Sequence, residues 1–67
     1  MGIKVEYRLY EFRTKKGYTV RSLSEISGVS KSNINDIENH KINPSVLSIC
    51  QLAVALEADP CDLFIVK

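Results

Sequence analysis

Along residues 19–39 the apolar positions fall into two short sets with a break between them. Leu23 and Ile26 lie three apart, Gly28-Val29 interrupts, and Ile34 and Ile37 again lie three apart. A spacing of three keeps each pair on one helical face, so the stretch predicts two short amphipathic helices, the second of them polar on its outer side. Ser30 is a good N-cap for that second helix, because its hydroxyl can accept from the amide of Ser32 or Asn33. Gly28 can take the left-handed conformation that a sharp turn between helices requires. The turn is therefore encoded, and the two helices with their turn have the pattern of a helix-turn-helix.

The flanks read as support. Val5, Leu9 and Phe12 follow a helical spacing, which predicts a first helix starting near Val5 and ending at Gly17, with residues 1–4 extended. Ile3, Val5 and Tyr7 also alternate with Lys4, Glu6 and Arg8, as a short strand would. Lys15-Lys16 before Gly17 is the order expected at a helix end. Thr19 caps a helix over 20–27, and the next helix runs over 31–39. His40 stands at its exit, where a positive φ is expected and histidine is one of the few side chains enriched there. Pro44 and Ser45 start a fourth helix over 46–57, with Val46, Ile49, Cys50, Ala53 and Leu56 on one face. Asp59 and Pro60 open a last short helix, and Leu63 and Phe64 close the core. The expected fold class is all-α, a compact five-helix bundle, with residues 1–67 forming a single domain.

Sixty-seven residues allow one small core, whose stability is marginal unless the helices pack closely or the chain pairs with a copy of itself. The composition, 45% hydrophobic and 25% charged, is that of a soluble globular protein. No apolar run approaches the roughly 20 residues that span a bilayer and nothing reads as a signal peptide, so no membrane association and a cytoplasmic location are expected. Cys50 and Cys61 lack the spacing of paired ligands, and with one histidine, His40, they do not make up a metal site. No cofactor is expected. The net charge is only +1, but its distribution is uneven. Residues 1–41 hold eight Lys and Arg against five acids, while residues 42–67 hold Lys67 against Glu57, Asp59 and Asp62. An anionic partner belongs on the N-terminal side.

The order of Leu9, Phe12 and Arg13, then Lys16-Gly17, Leu23, Gly28-Val29-Ser30, Ile34, Ile37-Glu38, Asn43-Pro44-Ser45, Ala53, Ala55-Leu56 and Leu63-Phe64 resembles the Cro/C1-type (XRE-type) helix-turn-helix domains of phage repressors and bacterial regulators. The resemblance covers residues 5–64. It implies a lambda-repressor-like five-helix fold whose third helix enters the major groove of double-stranded DNA while the second lies across it. A nine-residue helix is roughly 13 Å long and the groove about 12 Å wide, so only the first two turns meet base edges. The exposed positions there are Lys31, Ser32, Asn35 and Asp36. Lys31 can donate to guanine O6 and N7, Asn35 can pair with adenine N6 and N7, Ser32 can do either, and Asp36 accepts from cytosine N4. A solvated polar helix face is the bland alternative.

The resemblance further implies phosphate contacts from Thr19 and Arg21 at the start of the second helix and from Asn39, Lys41 and Asn43 after the third. It also implies a salt bridge between Arg13 and Glu38. Where the family usually carries a glutamine that touches a phosphate, this chain has Val20, leaving only the backbone amide, and Asp36 sets an acid against DNA. In the fourth helix Leu47 and Val54 replace residues that are usually polar. With Cys61 or Ile65 they could form an apolar patch for a homodimer, or they are scattered surface hydrophobes. The leading expectation is a small regulator, a repressor, that reads a palindromic operator as a dimer. The alternative is a protein-interaction module, such as the antitoxin of a toxin–antitoxin pair, with a protein partner on that patch. An enzyme is not expected, because His40 has no triad partner and no glycine loop cradles phosphate.

Overall fold

A computed structural model of the chain describes residues 2–67. Its elements are a strand β1 (Val5–Tyr7), helices α1 (Leu9–Lys15), α2 (Val20–Ser27), α3 (Lys31–Glu38) and α4 (Val46–Ala55), a 3-10 turn (Pro60–Leu63), and a second strand β2 (Phe64–Val66). Among the described residues four α-helices rather than five are present, and the fold is not all-α. β1 and β2 pair antiparallel, with Val5 opposite Val66, Glu6 opposite Ile65 and Tyr7 opposite Phe64. Lys4 and Lys67 continue the ladder by exchanging backbone bonds at 3.0 and 2.7 Å. The alternation of Val5 and Tyr7 with charged residues therefore forms a strand, and α1 begins only at Leu9. The strand prevails because a partner, the apolar run Phe64–Val66, arrives from 57 residues away, which no local pattern announces.

The helix boundaries follow from local chemistry. Thr19 and Ser22 form a reciprocal capping box, the Thr19 hydroxyl accepting from the Ser22 amide and the Ser22 hydroxyl from the Thr19 amide. Ser30 caps α3 by accepting from the Asn33 amide, and Ser45 caps α4 by accepting from the Ser48 amide. Gly17 closes α1 at φ 77°, with its own amide bonded to Thr14 and that of Tyr18 to Arg13. The same two-bond closure ends α3 at His40 and α4 at Glu57, both non-glycine residues at positive φ. Gly28 at φ 81° makes the turn from α2 to α3.

The core is Leu9, Leu23, Val29, Ile34, Ile37, Ile49, Leu52, Ala53, Ala55, Leu56 and Leu63. It lies where α2 packs on α3 and α4, α1 packs on α3, and the 3-10 turn closes against α4. Two inward assignments fail. Ile26 is 54% exposed and Val46 is 81% exposed. Helix α4 is apolar nearly all round, so spacing cannot choose its buried face, and Leu52, Ala53 and Ala55 turn inward where Val46 and Leu47 do not. Among the described residues no helix is long and apolar enough to cross a membrane.

On the ribbon, Lys67 Nζ lies 2.9 Å from Glu6 Oε2. The hydrogen bond and charge of Lys67 hold the Glu6 carboxyl below its ordinary value of 4.5. A lowered folded-state pKa stabilises the chain above the unfolded value, and that contribution fades as pH falls through the lowered one. In the Lys67→Met variant, NMR titration of the Glu6 side chain should move back up toward 4.5. An unmoved midpoint means that the contact is absent in solution.

Candidate nucleic-acid interface

Helix α3 turns Ile34 and Ile37 fully into the core, which puts its other faces outside. Lys31, Ser32 and Asn35 are exposed and Asp36 is half-buried. These four share the outer part of one short helix. Asn33, which spacing had placed only as the partner of the Ser30 cap, is exposed beside them and offers a further amide. Spacing gave little signal for it, because Asn33 stands four residues before Ile37 and so borders the buried stripe.

The angle of this helix is set from behind. Arg13 Nε donates to Glu38 Oε2 at 2.6 Å and Arg13 Nη2 donates to Glu38 Oε1 at 3.1 Å, a two-pronged bond from α1 to the last turn of α3. A third donor, Arg13 Nη1, reaches the Tyr18 carbonyl at 2.8 Å, and the guanidinium lies 5.3 Å from the Tyr10 ring centre. The two side chains are 12% and 9% exposed. The hydrogen bond to Glu38 raises the Arg13 pKa against the opposing effect of burial, so the guanidinium stays charged.

The flanking donors lie at two places, the start of α2 and the segment after α3. At the first, Thr19 is exposed but its hydroxyl is engaged in the capping box, while Arg21 extends into solvent in a loose contact with Glu25 at 3.5 Å. The Val20 and Arg21 amides precede the capped Ser22 amide in the first turn, where the helix dipole favours an anion. At the second, Lys41 is exposed and belongs to no ion pair among the described residues. Asn39 donates one amide hydrogen to the Asn35 carbonyl at 2.9 Å. Asn43 accepts at Oδ1 from the Tyr7 hydroxyl at 3.3 Å, which leaves its amide nitrogen as a free donor.

The apolar residues of α4 are divided. Leu47 is 68% and Val54 79% exposed. Val54 and Ile26 share a groove of about 520 Å³ between α2 and α4, away from the outer face of α3. Cys61 lies instead in a recess of about 330 Å³ with Val46, Ile49 and Phe64, and Cys50 lines both. Ile65, opposite Glu6, stands on the other face of the ribbon from Phe64 and joins neither. Val54 and Ile26 thus share one groove, Cys61 lies in another recess, and Leu47 and Ile65 line neither. No group of three or more metal-ligating side chains occurs among the described residues.

A capped helix pair joined through Gly28, with the second helix buried along one side and polar along the other, defines a helix-turn-helix protein. Residues 9–63 match the model of the family described as Helix-turn-helix, and the chain belongs to that family. It is 41% identical over 58 residues to the HTH-type transcriptional regulator SlrR of Bacillus subtilis (strain 168), a match that covers 85% of this chain and 37% of SlrR. The chain thus spans well under half the length of that relative. Among solved structures, the restriction-modification controller protein C.AhdI from Aeromonas hydrophila is 36% identical with a TM-score of 0.78, over 82% of this chain and 83% of that one. The transcriptional regulator VanUg shares the fold at 22% identity and a TM-score of 0.78, over 100% of this chain and 89% of that one.

Proposed function

We propose that the protein is a sequence-specific double-stranded DNA-binding transcriptional regulator, acting as a repressor and taking residues 1–67 as one domain. The observation that carries this is the outer face of α3. Lys31, Ser32, Asn35 and Asp36 present donors and acceptors on a helix short enough to enter the major groove and held from behind by Arg13 and Glu38. Arg21, the first amides of α2, Lys41 and the Asn39 and Asn43 amides meet phosphates on either side and fix the register. Thr19 contributes through its hydroxyl as the cap of α2 rather than as a donor to phosphate. Membership of the family and likeness to SlrR, named a transcriptional regulator, and to C.AhdI, named a controller protein, support the reading.

Selection of sites from random duplex DNA, followed by gel-shift titration over a range of salt, tests it. The expected result is an enriched palindrome, read by a dimer with half-sites about 34 Å apart, whose log K falls linearly with log salt. On that site Asn35→Ala should cost about 1–3 kcal/mol and relax selectivity at one adenine. Absence of binding at low salt overturns the reading and favours a protein-interaction module instead, for which the exposed Leu47, Val54 and Ile26 are the observation.

A further inference from the structure

The ribbon that joins the two ends of the described chain lies against the segment through which α3 exits. Its register and the reciprocal Lys4–Lys67 backbone bonds set Lys4, Glu6, Ile65 and Lys67 on one face, by the alternation of a strand. At the edge of that face stands His40, and Lys4, Val5, Glu6, His40 and Lys67 enclose an open recess of about 370 Å³. On the other side of β1, Val5 and Tyr7 share a smaller recess with residues 40–43, and the Tyr7 hydroxyl bonds Asn43. The carboxylate in the first recess is already matched, because Glu6 is held by Lys67 at 2.9 Å. Lys4 is exposed and belongs to no ion pair among the described residues, and His40 and Lys41 beside it are exposed as well.

We propose that the ribbon is a second contact to the DNA backbone, in which Lys4 and His40 receive a phosphate next to the one met by Lys41 and Asn43. The inference rests on the DNA-binding reading above and adds residues to it. Lys4 and His40 line one recess and His40 also lines the recess of Lys41 and Asn43, so the donors adjoin through His40. Glu6 does not oppose a phosphate there while Lys67 neutralises it. Tyr7 is a positioning residue, holding the Asn43 amide among these donors.

The test is the salt dependence of DNA binding by the full chain, with Lys4→Gln, Glu6→Gln and the control Lys41→Gln. Each lost phosphate contact makes the slope of log K against log salt shallower by about 0.9. Lys4→Gln removes one such contact from each protomer of the dimer, so it should bind more weakly at low salt, with a slope shallower by about 1.8 and a deficit that shrinks about twelvefold between 50 and 200 mM salt. The loss should be the same on operator and on random duplex DNA, since a phosphate contact carries no sequence information. Glu6→Gln should bind more tightly, because Lys67 is then released beside the same donors. A Lys4→Gln slope equal to that of the wild type, with Lys41→Gln shallower, overturns the ribbon contact and leaves the DNA-binding reading intact. A wild-type chain with no salt-dependent binding defeats both. Circular dichroism of Lys4→Gln identical to the wild type separates a lost contact from a lost fold.

Discussion

Replacing Leu47 and Val54 together by Glu should yield a monomer whose affinity for the full operator is about 10²- to 10⁴-fold lower, the loss expected when two linked reading heads become one. Both side chains are largely exposed on α4, so neither substitution removes a core contact. Glutamate is also a better helix former than valine, and thermal stability of the monomer should hold. What changes is the exposed apolar surface of α4. In a two-fold dimer each residue meets the partner's copy of the same patch, so two substitutions set four carboxylates against each other in a desolvated interface. An eight-residue α3 reaches only a few base pairs, and specific contacts at about 1–3 kcal/mol each do not make a useful site from one helix. Sedimentation of the wild type and the double variant decides the matter, together with gel shifts on full and half operators. A wild type that stays monomeric at high micromolar concentration removes the dimer, and a double variant that stays dimeric moves the interface elsewhere.

The parts of this molecule legible in the sequence are those fixed by local chemistry. Thr19, Ser30, Ser45 and Asp59 each accept the amide bond that starts their element, and Gly17, Gly28 and His40 each take the positive φ expected of them. Ile34 and Ile37 show the outer face of α3 by exclusion. What escaped is set by partners distant along the chain. The strand at Val5 exists because β2 returns to it, and the register with Glu6 turns Ile65 to the other face of the ribbon from Phe64. Helix α4 was ambiguous for another reason. With Val46, Leu47, Ile49, Cys50, Leu52, Ala53, Val54 and Ala55 in ten residues, any orientation buries apolar side chains, and packing against α2 and the 3-10 turn chooses. The same excess of apolar residues leaves Leu47 and Val54 outside, so the ambiguity and the candidate interface have one origin.

Glu38→Ala should destabilise the chain by about 3 kcal/mol, the lower end of the range for removing one partner of a buried ion pair. For a domain of this size that lowers the melting temperature by roughly 12–24 °C. Total stability at this length is of order 3–10 kcal/mol, so the substitution removes roughly a third of it or more. The cost arises from what is left behind. Arg13 keeps its bond to the Tyr18 carbonyl and its place over the Tyr10 ring, but two of its donors lose their acceptor in a site where the side chain is only 12% exposed. Replacing both partners, as Arg13→Met with Glu38→Leu, removes the orphaned charge and should restore most of the stability. The double variant therefore separates folding from function. With stability restored, α3 loses the two-pronged tie from α1 that sets its angle, and operator affinity should stay below that of the wild type even though the chain is folded. Urea melts of the single and double variants, with gel shifts on the double, read the two effects apart. A Glu38→Ala melt that coincides with the wild type would show that the pair contributes nothing to the fold. Full operator affinity in a folded double variant would show that the core around Ile34 and Ile37 sets the angle of α3 without it.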